Sequence, residues 1–185
     1  MRTILILASI LTFNSWGMVT SETEAAARKL GASSVGEVEF DLGKADLTDG
    51  AKEDLDELKS EAEQAGDIAE VRVIAWADKE YPPEQQKRYT KDDIKLADQR
   101  ADKVRTYLRE QLKLKSITTF NMAKRPNLFQ EMLKTPTAVI KDTLEKSGAA
   151  PHSEKDTGLF AERSKSSTAL VLVFKKSMKD NKLIR

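Results

Sequence analysis

Two hydrophobic spacings alternate along the chain. Val38 and Phe40 alternate with Glu37, Glu39 and Asp41, the period of a half-buried strand. Leu47, Ala51, Leu55, Leu58, Ala62 and Ala65 then recur at threes and fours, which makes one stripe of a helix. Thr48 is its N-cap, Asp49 favours the positive end of the helix dipole, and Gly66 stops it. Ala69 to Ala77 is a second strand. Val71, Val73, Ile74 and Ala75 make it mostly apolar, as in a strand buried on both faces. Leu96, Ala97, Ala101, Val104, Leu108 and Leu112 form the stripe of a second helix, and Ile117 to Phe120 are β formers within a third strand, Ser116 to Met122. Thr135 and Pro136 are an N-cap and first-turn pair for a helix with Val139, Ile140 and Leu144 inward and Gly148 at its end. Ala169 to Phe174, an apolar run, is the last strand.

This order, β-α-β-α-β-(α)-β, predicts an α/β domain over residues 37–176. The expected architecture is a sandwich of helices on one face of a mixed four-stranded sheet. Crossovers are right-handed and the last strand joins antiparallel. Residues 18–36 are small, polar and Ala-rich and are read as a flexible N-terminal segment, with Glu22 to Leu30 able to form a short helix. Residues 177–185 form a basic tail.

The first 17 residues read as a secretory signal peptide: Arg2, the apolar run Ile4 to Phe13, then small Ser15 and Gly17. The run is short of the ~20 residues a membrane span needs. Cleavage is expected after Gly17, so the mature chain is exported without a transmembrane segment.

Composition narrows the chemistry. The formal charge of +1 gives no electrostatic footprint for nucleic acid. The absence of cysteine excludes disulfides, thiolate nucleophiles, cysteine zinc sites and a cysteine-linked lipid anchor. His152, the only histidine, sits in the loop Gly148 to Gly158 with no second ligand or nucleophile at a recognisable spacing. With no nucleophile elbow or metal spacing either, no enzymatic activity, metal or cofactor is expected.

One residue breaks the pattern. Arg100 lies in the apolar stripe of the second long helix, four after Leu96 and four before Val104. An arginine aimed at a core needs a carboxylate, or its long stem must carry the charge past the core edge to water. Asp78 is the candidate partner. It ends the second strand, where open α/β sheets place ligand-binding groups; the alternative there is an aspartate capping its own loop.

The segment around Arg100, LADQRADKVRTYL, resembles a helix of the OmpA-like cell-wall-binding domains, N-x-x-L-S-x-x-R-A-x-x-V-x-x-Y-L. Leu96, Arg100, Ala101, Val104, Tyr107 and Leu108 match; Asp93 stands for the family's Asn and Ala97 for its Ser. VRVIAWAD, Val71 to Asp78, is similar to the family strand ending in G-[HY]-T-D, with Trp76 as the aromatic and Ala75 and Ala77 replacing Gly and Thr. Phe40 to Leu47 resembles the family's opening segment, and Met122 and Pro126 fit its third turn without the glycines. Relative to the family, 79–91 and 128–160 are longer, and Ser166, Ser167 and Thr168 stand where Asn-Arg-Arg commonly leads into the last strand.

The resemblance implies noncovalent binding of peptidoglycan through the diaminopimelate of its stem peptide. Asp78 would take the ammonium and Arg100 the carboxylate, with Trp76, Lys79, Asp93 and Ala97 completing the candidate ligand-binding set. With the signal peptide it also implies a periplasmic protein of a Gram-negative envelope, either free in the periplasm or associated with the outer membrane. The alternative is a fold that has lost wall binding and contacts other envelope proteins. In that reading Tyr81 or Leu128 to Leu133 fill the site.

Overall fold

The computed structural model describes residues 19–78, 89–124, 135–147, 149 and 167–176. Among these residues, four helices and four strands follow in the order α1 (Ser21–Lys29), β1 (Ser34–Glu39), α2 (Asp49–Gln64), β2 (Ile68–Ala75), α3 (Lys91–Leu112), β3 (Ile117–Asn121), α4 (Pro136–Lys146) and β4 (Thr168–Lys175). The strands lie in the order β1-β4-β2-β3. β4 runs antiparallel to both neighbours and β2 parallel to β3. The mixed sheet and antiparallel last strand are those the sequence predicts.

Local chemistry sets the helix ends. Thr20, Thr48, Thr90 and Thr135 each cap a helix by accepting a backbone N–H with the hydroxyl. At α3 the cap is reciprocal, because the Asp93 carboxylate accepts the Thr90 N–H. Gly36 in β1 faces the tip of Leu58. A Cβ there would sit 2.9 Å from Leu58 Cδ2, so glycine lets α2 lie close on the sheet.

The helices are not confined to one face. One core joins α2 and α3 to the sheet through Leu55, Leu58, Val104 and Leu108 against Val38, Val73 and Val171. A second core lies on the opposite face, where Ala26 and Ala27 of α1 and Ile140 and Leu144 of α4 meet Ile74, Trp76, Leu170 and Leu172. The one-face arrangement is thus corrected. β2 and β4 are apolar on both sides, and exposing either side would leave a row of large hydrophobic side chains in water.

The same packing corrects the reading of 18–36 as a flexible segment, since it holds α1 and the first residues of β1. The alanines that suggested a featureless join are what allow α1 to approach the sheet closely. The turn after β3, which lacks the expected glycines, is built by Asn121. Its Oδ1 accepts the N–H groups of Ala123 and Lys124 at 2.8 and 3.2 Å, and its Nδ2 donates to the Ile94 carbonyl at 2.8 Å. Lys141 Nζ donates to the Lys124 carbonyl from α4.

None of the described helices is long and apolar enough to cross a membrane. The expected signal peptide, the 79–88 portion of the first insertion, Leu128 to Leu133, His152 and the basic tail lie outside the described residues.

A docked α1 has a measurable consequence. Ala26 is 0% exposed, so Ala26→Glu puts a carboxylate with no partner into the second core. We expect a loss of roughly 2–4 kcal/mol in urea denaturation. A free tether in that position would leave the midpoint unchanged.

Candidate functional site

The carboxyl end of β2, the β1–α2 turn, the middle of α3 and the lead into β4 converge on one ion pair. Arg100 Nη2 donates to Asp78 Oδ1 at 2.5 Å. The guanidinium is 0% exposed, so its stem does not carry the charge to water. Its other contacts are main-chain carbonyls: Nε donates to Lys44 O at 2.9 Å, Nη1 to Trp76 O at 3.1 Å and Nη2 to Asp41 O at 3.2 Å. Its central carbon lies 5.0 Å from the centroid of the Phe40 ring, within the range of a cation–π contact. A planar fork with five donors suits this task, where a lysine offers a single charged point.

Among the described residues, Asp78 bonds to other segments of the chain. Its Oδ2 accepts the Gly43 N–H at 2.5 Å, and its Oδ1 accepts the Ser167 hydroxyl at 2.8 Å as well as Arg100. Gly43 has φ +72, the left-handed region that glycine adopts without strain, and this turns its N–H toward the carboxylate. Ser167 reaches the site by register. Ala75 pairs with Ala169, which sets Ser167 beside the residues just after β2, and the Ser167 carbonyl accepts the Phe40 N–H at 2.8 Å. Asp78 keeps 17% exposure of its side chain. A carboxylate offers about four acceptor positions, and the described contacts use three.

The other candidate residues are placed as follows. The Trp76 ring is buried in the second core, across the sheet from the pair, and only its carbonyl touches Arg100. Ala97 is buried within α3. Asp93 is engaged in the α3 capping box. Lys79 lies outside the described residues.

The sequence marks Ser167 only as a departure from the family's Asn-Arg-Arg, and it assigns no site role to Gly43 or to the carbonyls of Asp41 and Lys44. Backbone groups carry no residue signature. Ser167 could have been found by aligning the two antiparallel strands, which sets it next to the end of β2.

An acidic groove of about 300 Å³ adjoins the turn, lined by Glu37, Glu39, Phe40, Asp41, Thr48, Gly50, Ala51 and Asp54. Partial burial, then the nearby charges of Glu39 and Glu53, hold the Asp54 carboxyl above its ordinary range. On the other side of the turn, a hydrogen bond and charge contact with Lys103 hold Asp46 below it. Among the described residues no group of three or more His, Cys, Asp or Glu is arranged to hold a metal ion.

No family model matches the sequence, and no curated relative matches it. Solved structures do. The OmpA-like domain of FopA1 from Francisella tularensis subsp. tularensis SCHU S4 is 14% identical, with 77% of this chain and 75% of that chain covered at a TM-score of 0.40. A MotB-like protein from Desulfovibrio vulgaris is 16% identical, with 75% and 71% covered at a TM-score of 0.37. At these identities and TM-scores the likeness carries no argument, and the functional reading below rests on this chain's own geometry together with the resemblance of its motifs.

Two substitutions separate the roles around the pair. Arg100→Ala strands a mostly buried carboxylate and three carbonyls, so a loss of about 3–5 kcal/mol is expected in urea denaturation. Ser167→Ala removes one hydrogen bond and is expected to cost about 1 kcal/mol. Asp54 gives a pH test. Its raised folded pKa means that ionisation is harder in the folded than in the unfolded chain, so its penalty is present above the carboxylate range and absent below it. Asp54→Asn should therefore raise the melting temperature at pH 7 and leave it unchanged near pH 3.

Proposed function

We propose that the protein binds peptidoglycan noncovalently, through the diaminopimelate of the stem peptide, and serves in the periplasm as a cell-wall anchor. The supporting observation is Asp78. It is a carboxylate at the carboxyl end of an inner strand, fixed by Arg100, Ser167 and Gly43, yet still 17% exposed. Such a group is pre-aimed for a ligand ammonium. It loses no side-chain freedom on binding, and the charged hydrogen bond formed is of the stronger kind.

The free end of diaminopimelate carries an ammonium and a carboxylate. In this reading the ammonium takes the remaining acceptor position of Asp78. The carboxylate is drawn to Arg100 by its charge, while the guanidinium keeps its carbonyl contacts to the turn. No bond is made or broken in this scheme.

A specific observation favours a second reading, that of a protein–protein interaction module with a purely structural pair. All three nitrogens of Arg100 are already committed and the guanidinium is closed to solvent.

The two readings separate in a co-sedimentation assay with purified diaminopimelate-type sacculi. The wall-binding reading expects the protein to pellet with sacculi and Asp78→Asn to lose at least tenfold in affinity. The asparagine keeps the shape and its carbonyl oxygen can still accept from Arg100 and Ser167, but its amide NH2 cannot accept the Gly43 N–H and it lacks the charge. Equal pelleting of Asp78→Asn, or none by the unmodified protein, would favour the second reading.

A further inference from the structure

The Asp78–Arg100 pair also grips the turn above it. Asp41 O and Lys44 O both accept from the one guanidinium, and the Gly43 N–H donates to the partner carboxylate. Three of the turn's four residues are thus tied from beneath. The fourth, Leu42, is 75% exposed and is one of two large hydrophobic side chains found exposed among the described residues. A single surface leucine is ordinary on most proteins. Here the leucine rides on a segment whose backbone the buried pair already holds. Leu42 is bonded to Gly43, whose N–H touches Asp78, so standard backbone dimensions set the Leu42 Cα within about 5 Å of that carboxylate.

We infer that Leu42 is a specificity-determining contact of the site, packing against the methylene run of a bound diaminopimelate side chain. The inference rests on the wall-binding reading above. A ligand end group seated at Asp78 lies beside the turn, and three methylenes follow the free end of diaminopimelate. Leu42, 75% exposed on that turn, offers an apolar surface near the carboxylate. The turn is ordered before binding, so the contact forms without the cost of fixing a loop. Ligands with an ammonium but a short side chain would place no apolar atoms there.

The test uses Leu42→Ser and Leu42→Met in the whole protein, read by sacculus co-sedimentation and by thermal melting. Leu42→Ser is expected to weaken sacculus binding about five- to tenfold. Leu42→Met is expected to bind within about twofold of the unmodified protein, and both variants should melt with it. Equal binding by Leu42→Ser, alongside a binding unmodified protein, would overturn the inference and leave the wall-binding reading standing. An equal loss in both variants would overturn the apolar contact. A lowered melting temperature in Leu42→Ser would place the leucine in the fold rather than at a ligand. Failure of the unmodified protein to pellet would remove the wall-binding reading and this inference with it.

Discussion

The burial of one guanidinium governs how this fold closes. A charge 0% exposed in the middle of α3 would cost several kcal/mol if left alone. It is answered by one carboxylate and three carbonyls drawn from the β1–α2 turn and the end of β2. Each ordinary hydrogen bond contributes about 1 kcal/mol net, so no single partner offsets the burial. Several must be in place together. That requirement fixes the turn, the strand end and the helix relative to one another, and Ser167 adds the lead into β4. Surface pairs such as Lys103 with Asp46 lie around this centre and contribute little by comparison.

The elements were largely legible in the sequence because their periods differ. The threonine caps, the α3 stripe and the apolar runs of β2 and β4 fix type and approximate extent. The layer arrangement was also present, in a form that conflicted with the architecture first drawn from it. A strand apolar on both faces, such as Val71 to Ala75, cannot lie in a sheet with one face in water. The packing of α1 was less visible. Its inward residues, Ala26 and Ala27, are the same small residues that make a linker look featureless. Burial of alanine depends on what approaches it, and one segment read alone does not carry that.

At the site, the side chains were legible and the backbone was not. Arg100 stood out because it interrupts an apolar stripe, and Asp78 because it ends an inner strand. The carbonyls of Asp41, Lys44 and Trp76 could not stand out, since every residue has one. Trp76 shows the reverse error. Its aromatic ring suggested a ligand contact, but alternation along the strand end sends the ring to the second core and leaves only its carbonyl at the pair. Asp93 is similar. Its place at the family's Asn position suggests the site, while the unsatisfied N–H groups at the start of α3 claim its carboxylate first.

The charge balance of the pair bears on which ligand it would admit. Asp78 and Arg100 neutralise each other when no ligand is present. An ammonium placed on Asp78 alone brings a second positive charge close to the guanidinium. At about 5 Å and an effective dielectric near 20, the repulsion is roughly 3 kcal/mol, comparable to what a charged hydrogen bond returns. A simple amine, including the side chain of a lysine-type stem peptide, would therefore gain little. A zwitterionic end group brings its own carboxylate and keeps the site neutral. That carboxylate benefits from Arg100 even without displacing a carbonyl from it, because the attraction acts through a partly buried region where screening is weak. A saturated, buried arginine is thus compatible with recognition of diaminopimelate. It would act through its field and through the turn it holds, while Asp78 makes the direct contact.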